Sequence, residues 1–237
     1  DRNPILDGNK VGVSSILSAM LGNGTTSIPK DEFNEEVEFL GASVSVTFSG
    51  GSANTLTKNN DRVLELWSDA IINPLLLEEE FDKEKTKLSE SLKADVNNID
   101  AIADRVSSAL SYGKDHPYGE FLSQETLNNV TFQDVLDYHA KYYIPNNADL
   151  VVVGDVNTKE IKTVLKEKFG IWKKGKMPVN PEPKYTENVM LTEVDFIDVP
   201  SATQSTIIVT NNTKLKSSDE DYFAALLANQ ILGGGSE

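Results

Sequence analysis

Within the first fifty residues the apolar period changes from three-and-four to two, and this change limits the possible folds more than any other feature of the chain. From Val13, the apolar positions Ile16, Leu17, Met20 and Leu21 fall on one face of a helix, with Gly22 and Gly24 as stop signals. A second helix is predicted after Pro29, burying Phe33, Val37 and Leu40 and ending at Gly41. Val44, Val46 and Phe48 then alternate with Ser43, Ser45, Thr47 and Ser49, which predicts a half-buried strand over 42–49 that turns at Gly50-Gly51 into a second strand. A chain that must bury a helical stripe and a pleated face side by side is predicted to be α+β, an antiparallel sheet with helices packed mainly on one face.

The rest of the chain continues the mixture. Asn60 is the expected cap of a helix burying Val63, Leu64, Trp67, Ala70 and Ile71, which Pro74 stops near Asn73. A long helix follows over 77–97 with Phe81, Leu88, Leu92 and Val96 toward the core. Glu78, Glu79, Glu80 and Asp82 crowd its first turns, where they complement the helix dipole. Further helices are predicted over 100–112, over 132–142 with Thr131 as cap, and over 158–169. The run Leu150-Val151-Val152-Val153, closed by Gly154-Asp155, predicts a strand buried on both faces. Residues 173–186 mix lysines with Gly175, Pro178, Pro181 and Pro183, a stiff and solvated composition that predicts a linker. The expected organisation is therefore a domain over 1–172, the linker 173–186, and the start of a second domain over 187–237. That second part should hold strands over 190–196 and 204–210 and a helix over 219–232.

Composition removes several function classes. With 22 basic against 37 acidic side chains, net charge −15, the chain repels phosphate backbones and is a poor nucleic-acid partner. No apolar run reaches the roughly 18 residues of a membrane-spanning helix, so membrane insertion is not expected. The absence of cysteine excludes disulfides, thiolate metal sites and thiol nucleophiles while leaving the compartment open.

The residues that remain offer little unaided chemistry. His116, in the turn-like Asp115-His116-Pro117-Tyr118-Gly119, and His139, beside Tyr138, are too far apart for a helical ligand pair, and both read as structural. No G-x-S-x-G elbow occurs, Gly233-Gly234-Gly235 lacks phosphate-loop spacing, and the run Glu78 to Glu80 reads as a solvated helix start. Asn23, Asn129 and Asn211 open glycosylation sequons, a pattern short enough to arise by chance.

Seven stretches in order carry more information than any one alone. They are Gly12-Val13-Ser14-Ser15-Ile16-Leu17-Ser18-Ala19-Met20-Leu21 with Gly24-Thr25, Phe81-Asp82-Lys83-Glu84-Lys85, and His116-Pro117-Tyr118-Gly119. Then come Tyr142-Tyr143-Ile144-Pro145-Asn146-Asn147, Val151-Val152-Val153-Gly154-Asp155, Gln204-Ser205, and Asn229-Gln230-Ile231-Leu232-Gly233-Gly234-Gly235. Together they resemble the insulinase (pitrilysin-like) metallopeptidases, whose inverted motif H-x-x-E-H binds zinc through two histidines and activates water with the glutamate. The resemblance implies an insulinase-type domain whose first strands precede Asp1, followed by a second similar domain that continues past Glu237.

Matched residue by residue, the family's zinc ligands fall at Ser15, Ala19 and Ser91, its base at Ser18, and a supporting glutamate at Glu84, the one position retained. The resemblance therefore implies a pseudoenzyme without the family's zinc, inactive alone. It would be a degenerate half-size subunit that pairs with a zinc-bearing homologue, or with itself, into a clamshell around an extended peptide. In the family an edge strand contacts peptide, which makes Ala42, Ser43, Val44 and Ser45 the peptide-binding candidates, while substrate-holding arginine and tyrosine are implied beyond Glu237. Two alternatives stand beside it: an active metalloendopeptidase with an unusual site, or a purely structural subunit of a larger complex. A periplasmic or exported bacterial location fits the composition.

Overall fold

The computed structural model describes residues 4–184, 186–200 and 202–234. Its centre is α1 (Val13–Met20), whose Val13, Ile16, Leu17 and Met20 are buried. Each such aliphatic side chain contributes about 1.5–3 kcal/mol. Gly12 precedes α1 with φ 116°, a backbone conformation that side chains rarely adopt, so glycine is required there by conformation. After α2 (Lys30–Phe39) come β1 (Ser43–Thr47) and β2 (Gly50–Asn54), an antiparallel hairpin with Val46 opposite Gly51 and Thr47 opposite Gly50.

The helices α3 (Asn60–Ile72), α4 (Glu78–Ala94), α5 (Ile99–Tyr112), α6 (Gln124–Asn129), α7 (Phe132–Tyr142), α8 (Thr158–Phe169) and α9 (Tyr222–Asn229) complete the regular structure. α1 lies against α4, α7 and β1, while α3 backs the hairpin and packs on α8. Val46, Leu66, Trp67, Ala70, Phe81, Leu127, Val135 and Ile161 join α1 in one continuous core. No described helix is long and apolar enough to cross a membrane.

Several ends follow from local chemistry. Thr131 and Asp134 form a reciprocal capping box at α7, and the Asn157 side chain accepts from the Lys159 and Glu160 amides at α8. α3 stops at Asn73, ahead of Pro74, as expected. Its cap is Asn59 rather than Asn60, and the Asn59 side chain is spent donating to Leu40 O at 2.8 Å, which ties α3 to the end of α2.

Other expectations are corrected. The hairpin turns at Phe48-Ser49, and Gly50 and Gly51 belong to β2. Gly51 is there for close approach: a Cβ would sit 2.7 Å from Ser45 O and 3.0 Å from Trp67 Nε1. Val96 lies beyond α4 and is 63% exposed, because the chain leaves the core at Ala94. The predicted strands over 150–153, 190–196 and 204–210 do not form. Val151 and Val153 are 81% and 92% exposed, and Phe196 is 86% exposed. A strand exists through its ladder partners, and among the described residues β1 and β2 pair only with each other. The last helix is shorter than expected, with residues 230–234 wound more loosely and broken at Gly233.

Residues 173–184 form no helix or strand, yet their start is anchored: Asn146 and Gly175 exchange two hydrogen bonds of 3.0 Å. Farther on, Thr186 Oγ1 donates to Tyr112 O at 2.7 Å and the Asn212 side chain donates to Ser111 O. Side chains of the later segment thus satisfy carbonyls that the last turn of α5 leaves open.

Candidate functional site

α1 packs on α4, and the positions that the resemblance assigns to the family motif lie on these two helices. Ser15 and Ala19 lie one helical turn apart on the exposed face of α1, and Ser18 is half-buried. Ser91 is exposed on α4, while Glu84 is largely covered and pairs with Lys87 at 2.6 Å. The donor set does not fit zinc: two free-standing hydroxyls and a methyl offer neither a neutral imidazole nor a carboxylate. Ser18 is not available as a base either, since its Oγ accepts from Phe48 N at 2.9 Å. Among the described residues no three histidine, cysteine, aspartate or glutamate side chains converge in a metal-holding group.

β1 forms the adjoining edge. With a two-residue turn between Thr47 and Gly50, the alternation of antiparallel pairs directs the backbone groups of Ser43, Ser45 and Thr47 to β2 and those of Val44 and Val46 to the opposite side. That side has no ladder partner among the described residues. It is closed at both ends: Ala42 N donates to Val37 O at 3.1 Å, and Phe48 N to Ser18 Oγ. Of the four candidates, Ala42 therefore lies outside the strand with its amide committed, and Ser43, Val44 and Ser45 lie within β1. The Ser43 and Ser45 side chains are exposed, and Val44 packs toward the core.

The two histidines serve structural roles. His116 is buried, stacks on Tyr112 at 5.0 Å, and accepts from Tyr118 N through Nδ1 at 3.0 Å. His139 stacks on Tyr143 at 4.7 Å, with Nε2 3.3 Å from Ile71 O, and burial lowers its pKa.

A polar cluster at the start of α1 had no signal in the sequence. Glu120 accepts from Asp7 N at 2.9 Å and Gly8 N at 2.7 Å, and Ser14 Oγ donates to the Asp7 carboxylate at 3.2 Å. Burial, then the neighbouring Glu120 charge, raises the Asp7 pKa from 3.8 to about 6, against opposing contributions from Ser14 and Lys141. The Tyr138 hydroxyl, buried without a hydrogen-bond partner among the described residues, has its pKa pushed up by burial and then by Asp7. A separate cleft of about 550 Å³ opens between α3 and α8, but its charges answer one another. Arg62 binds Glu36 through two nitrogens and also meets Glu65, and Lys168 lies near Asp61, Glu65 and Glu167.

Comparison with known proteins agrees with this architecture. Residues 7–117 match the family model described as insulinase (peptidase family M16), and residues 129–237 match that of the peptidase M16 inactive domain. The chain is 28% identical over 169 residues to the zinc protease PqqE of Helicobacter pylori, covering 68% of this chain and 37% of that protein. It is 24% identical to the human mitochondrial-processing peptidase subunit beta, covering 74% and 37%. It therefore spans little more than a third of either relative. Among solved structures, a protease from Helicobacter pylori superposes with a TM-score of 0.62 at 23% identity, covering 75% of this chain and 45% of that one. The periplasmic protease PqqL from Escherichia coli follows at 0.59 and 22%, covering 76% and 21%. At these identities the structural likeness speaks to fold.

Proposed function

This chain belongs to the insulinase family of peptidases, and from that premise we propose that it is a non-catalytic member, one that lends wall and peptide contacts to a zinc-bearing homologous subunit. The observation that carries this reading is the donor set on α1 and α4. Ser15, Ala19 and Ser91 stand at the family's ligand positions, and the hydroxyl at its base position, Ser18, is engaged by Phe48. A serine hydroxyl is a poor ligand at neutral pH, and without bound metal there is no activated water for a base to use.

Pairing is supported by the relatives. One is by name a subunit, and another is a half of PqqL with a structure of its own, to which this chain superposes with a TM-score of 0.58. The partner is a homologue carrying H-x-x-E-H, or failing that a second copy. The side of β1 that faces away from β2 supports extended peptide as the ligand, met by the backbone of Val44 with Ser43 and Ser45 lining the rim, since Val46 is buried against Gly22. Residues 1–172 act as the wall-forming domain, and those beyond the 173–186 linker open a second one. A periplasmic location is supported by the likeness to PqqL of Escherichia coli, itself a periplasmic protease.

Two measurements test the reading. Metal analysis of the purified chain should find no stoichiometric zinc, and the chain alone should leave an unstructured peptide uncut. Mixed with an H-x-x-E-H homologue from the same organism, it should co-elute as a complex. Stoichiometric zinc or cleavage by this chain alone would sink the proposal.

A further inference from the structure

Two surface helices carry opposite charges in mirrored order. On α8, Lys159, Lys162 and Lys166 stand at i, i+3 and i+7, and on α2, Asp31, Glu35 and Glu38 stand at i, i+4 and i+7. Helical geometry puts each trio on one stripe about 10 Å long. The stripes face away from the core, since α8 turns Ile161 and Leu165 inward and α2 turns Phe33 and Val37. All six charged side chains are exposed. None of them forms an ion pair among the described residues, whereas Glu36 and Lys168 on the same two helices do.

Within one copy the stripes are unfavourable. Like charges four apart on a helix repel, as Lys162 and Lys166 do on α8 and Asp31 and Glu35 on α2. The stretch around α8 also runs against the rest of the chain: residues 158–184 hold eight lysines and three glutamates in a protein of net charge −15. A counter-charge held against either stripe would relieve its repulsion.

We infer that two copies of this chain associate through these faces, α8 of one against α2 of the other in antiparallel order, with Lys166 beside Asp31, Lys162 beside Glu35 and Lys159 beside Glu38. The order follows from the spacing. Read in opposite directions, the two stripes take equal steps; in parallel order the middle pair falls out of step by one residue. The contact uses neither α1 nor α4, so it is independent of the subunit pairing proposed above. A second copy is favoured over a phosphate surface because the matching acidic stripe is on the molecule itself, while a nucleic acid or lipid sheet would also meet the rest of a strongly acidic protein. Repulsion between two chains of like net charge is screened beyond about 10 Å in about 0.1 M salt, and pairs brought together in an interface are screened less.

Sedimentation equilibrium of the whole chain, from about 10 to about 500 μM in about 0.1 M salt, reads the association. Mass above that of the monomer should appear in this range and vanish at about 1 M salt, where charges are screened within about 3 Å. Two charge-reversed variants carry the test: Lys159→Glu, Lys162→Glu and Lys166→Glu together, and Asp31→Lys, Glu35→Lys and Glu38→Lys together. All six positions are exposed, so the fold should survive, as circular dichroism would check. Each variant alone should associate at least about tenfold more weakly than the parent. An equimolar mixture of the two should regain the parent's association, because the acidic faces of one then meet the basic faces of the other. If Asp31→Lys disturbs the first turn of α2, the single swap of Glu35→Lys against Lys162→Glu asks the same question. Association that resists salt, survives either reversal or is not rescued by mixing overturns the pairing. A parent chain that stays monomeric throughout overturns it as well, and capture of that monomer by phosphatidylglycerol vesicles would assign the lysine stripe to a lipid surface instead.

Discussion

The body formed by α1, α3 and their neighbours and the stretch beyond residue 173 are both rich in apolar residues, but they bury them very differently. Ile16, Leu17, Leu66 and Ala70 are fully enclosed, whereas Val179, Met190, Phe196 and Val209 face outward. A helix closes its backbone hydrogen bonds within its own segment and needs only a surface for its stripe. A strand needs another strand for every bond along its edge. The helices of the first region close their bonds within their own segments, and the apolar stretches beyond residue 173 find no ladder partner among the described residues. Exposed apolar residues on that scale mark surface meant to be covered.

The largest effect should come from rebuilding what the first region has lost. If the resemblance assigns these positions correctly, the triple variant Ser15→His, Ala19→His and Ser91→Glu would aim two imidazoles and a carboxylate at one point and leave Ser18 as it is. Three protein ligands plus water are enough for zinc. The variant should hold one equivalent at micromolar affinity or better, about 8 kcal/mol, where the unaltered chain holds none, as read by titration with a zinc indicator. A triple variant that binds no zinc would show that the match of these helices to the family motif is out of register.

The difference in burial itself predicts a smaller effect. Leu17→Ala should cost about 2–5 kcal/mol in urea unfolding, because the enclosed site cannot collapse around the cavity. Phe196→Ala should change stability by less than about 0.5 kcal/mol, since the ring is already in water. If the two costs were similar, the later segment would have to be packed in solution in a way the described structure lacks.

How much of this could be read in the sequence follows the same division. The bounds of α7 and α8 matched because capping residues and helical spacing are local, and Thr131 and Asn157 stand where their helices start. The run at 150–153 carries strand composition, but composition records how side chains like to pack and not which chain supplies the partner. Gly50-Gly51 misled because glycine marks both turns and close approach, and only the position of Trp67 tells them apart. At the site, Ser15, Ser18, Ala19 and Ser91 are assigned by family resemblance alone, and no local pattern of residue type or spacing singles them out. The bond from Phe48 to Ser18 and the contact of Glu120 with Asp7 join residues 30 and 113 positions apart, and no local pattern announces either.

Asp7 supplies the smallest test, and it probes whether the well-packed region is uniformly stabilising. The pKa of its carboxyl rises from 3.8 to about 6 on folding, so between those values the native state binds more protons than the unfolded one. Stability then falls as pH rises through that window and levels off above about 6. The full linkage would approach 3 kcal/mol, but the group is partly solvated and faces Lys141 as well as Glu120, so screening reduces the expected cost at pH 7 to about 1–2 kcal/mol. Asp7→Asn keeps an acceptor for the Ser14 hydroxyl and removes the charge. It should therefore be the more stable protein by that amount at pH 7 and indistinguishable from the parent near pH 3, below both pKa values, where the carboxyl is neutral in both states. Denaturant unfolding at the two pH values measures the difference directly. An advantage that persisted at pH 3 would have to come from packing, and the charge buried beside α1 would then carry no cost.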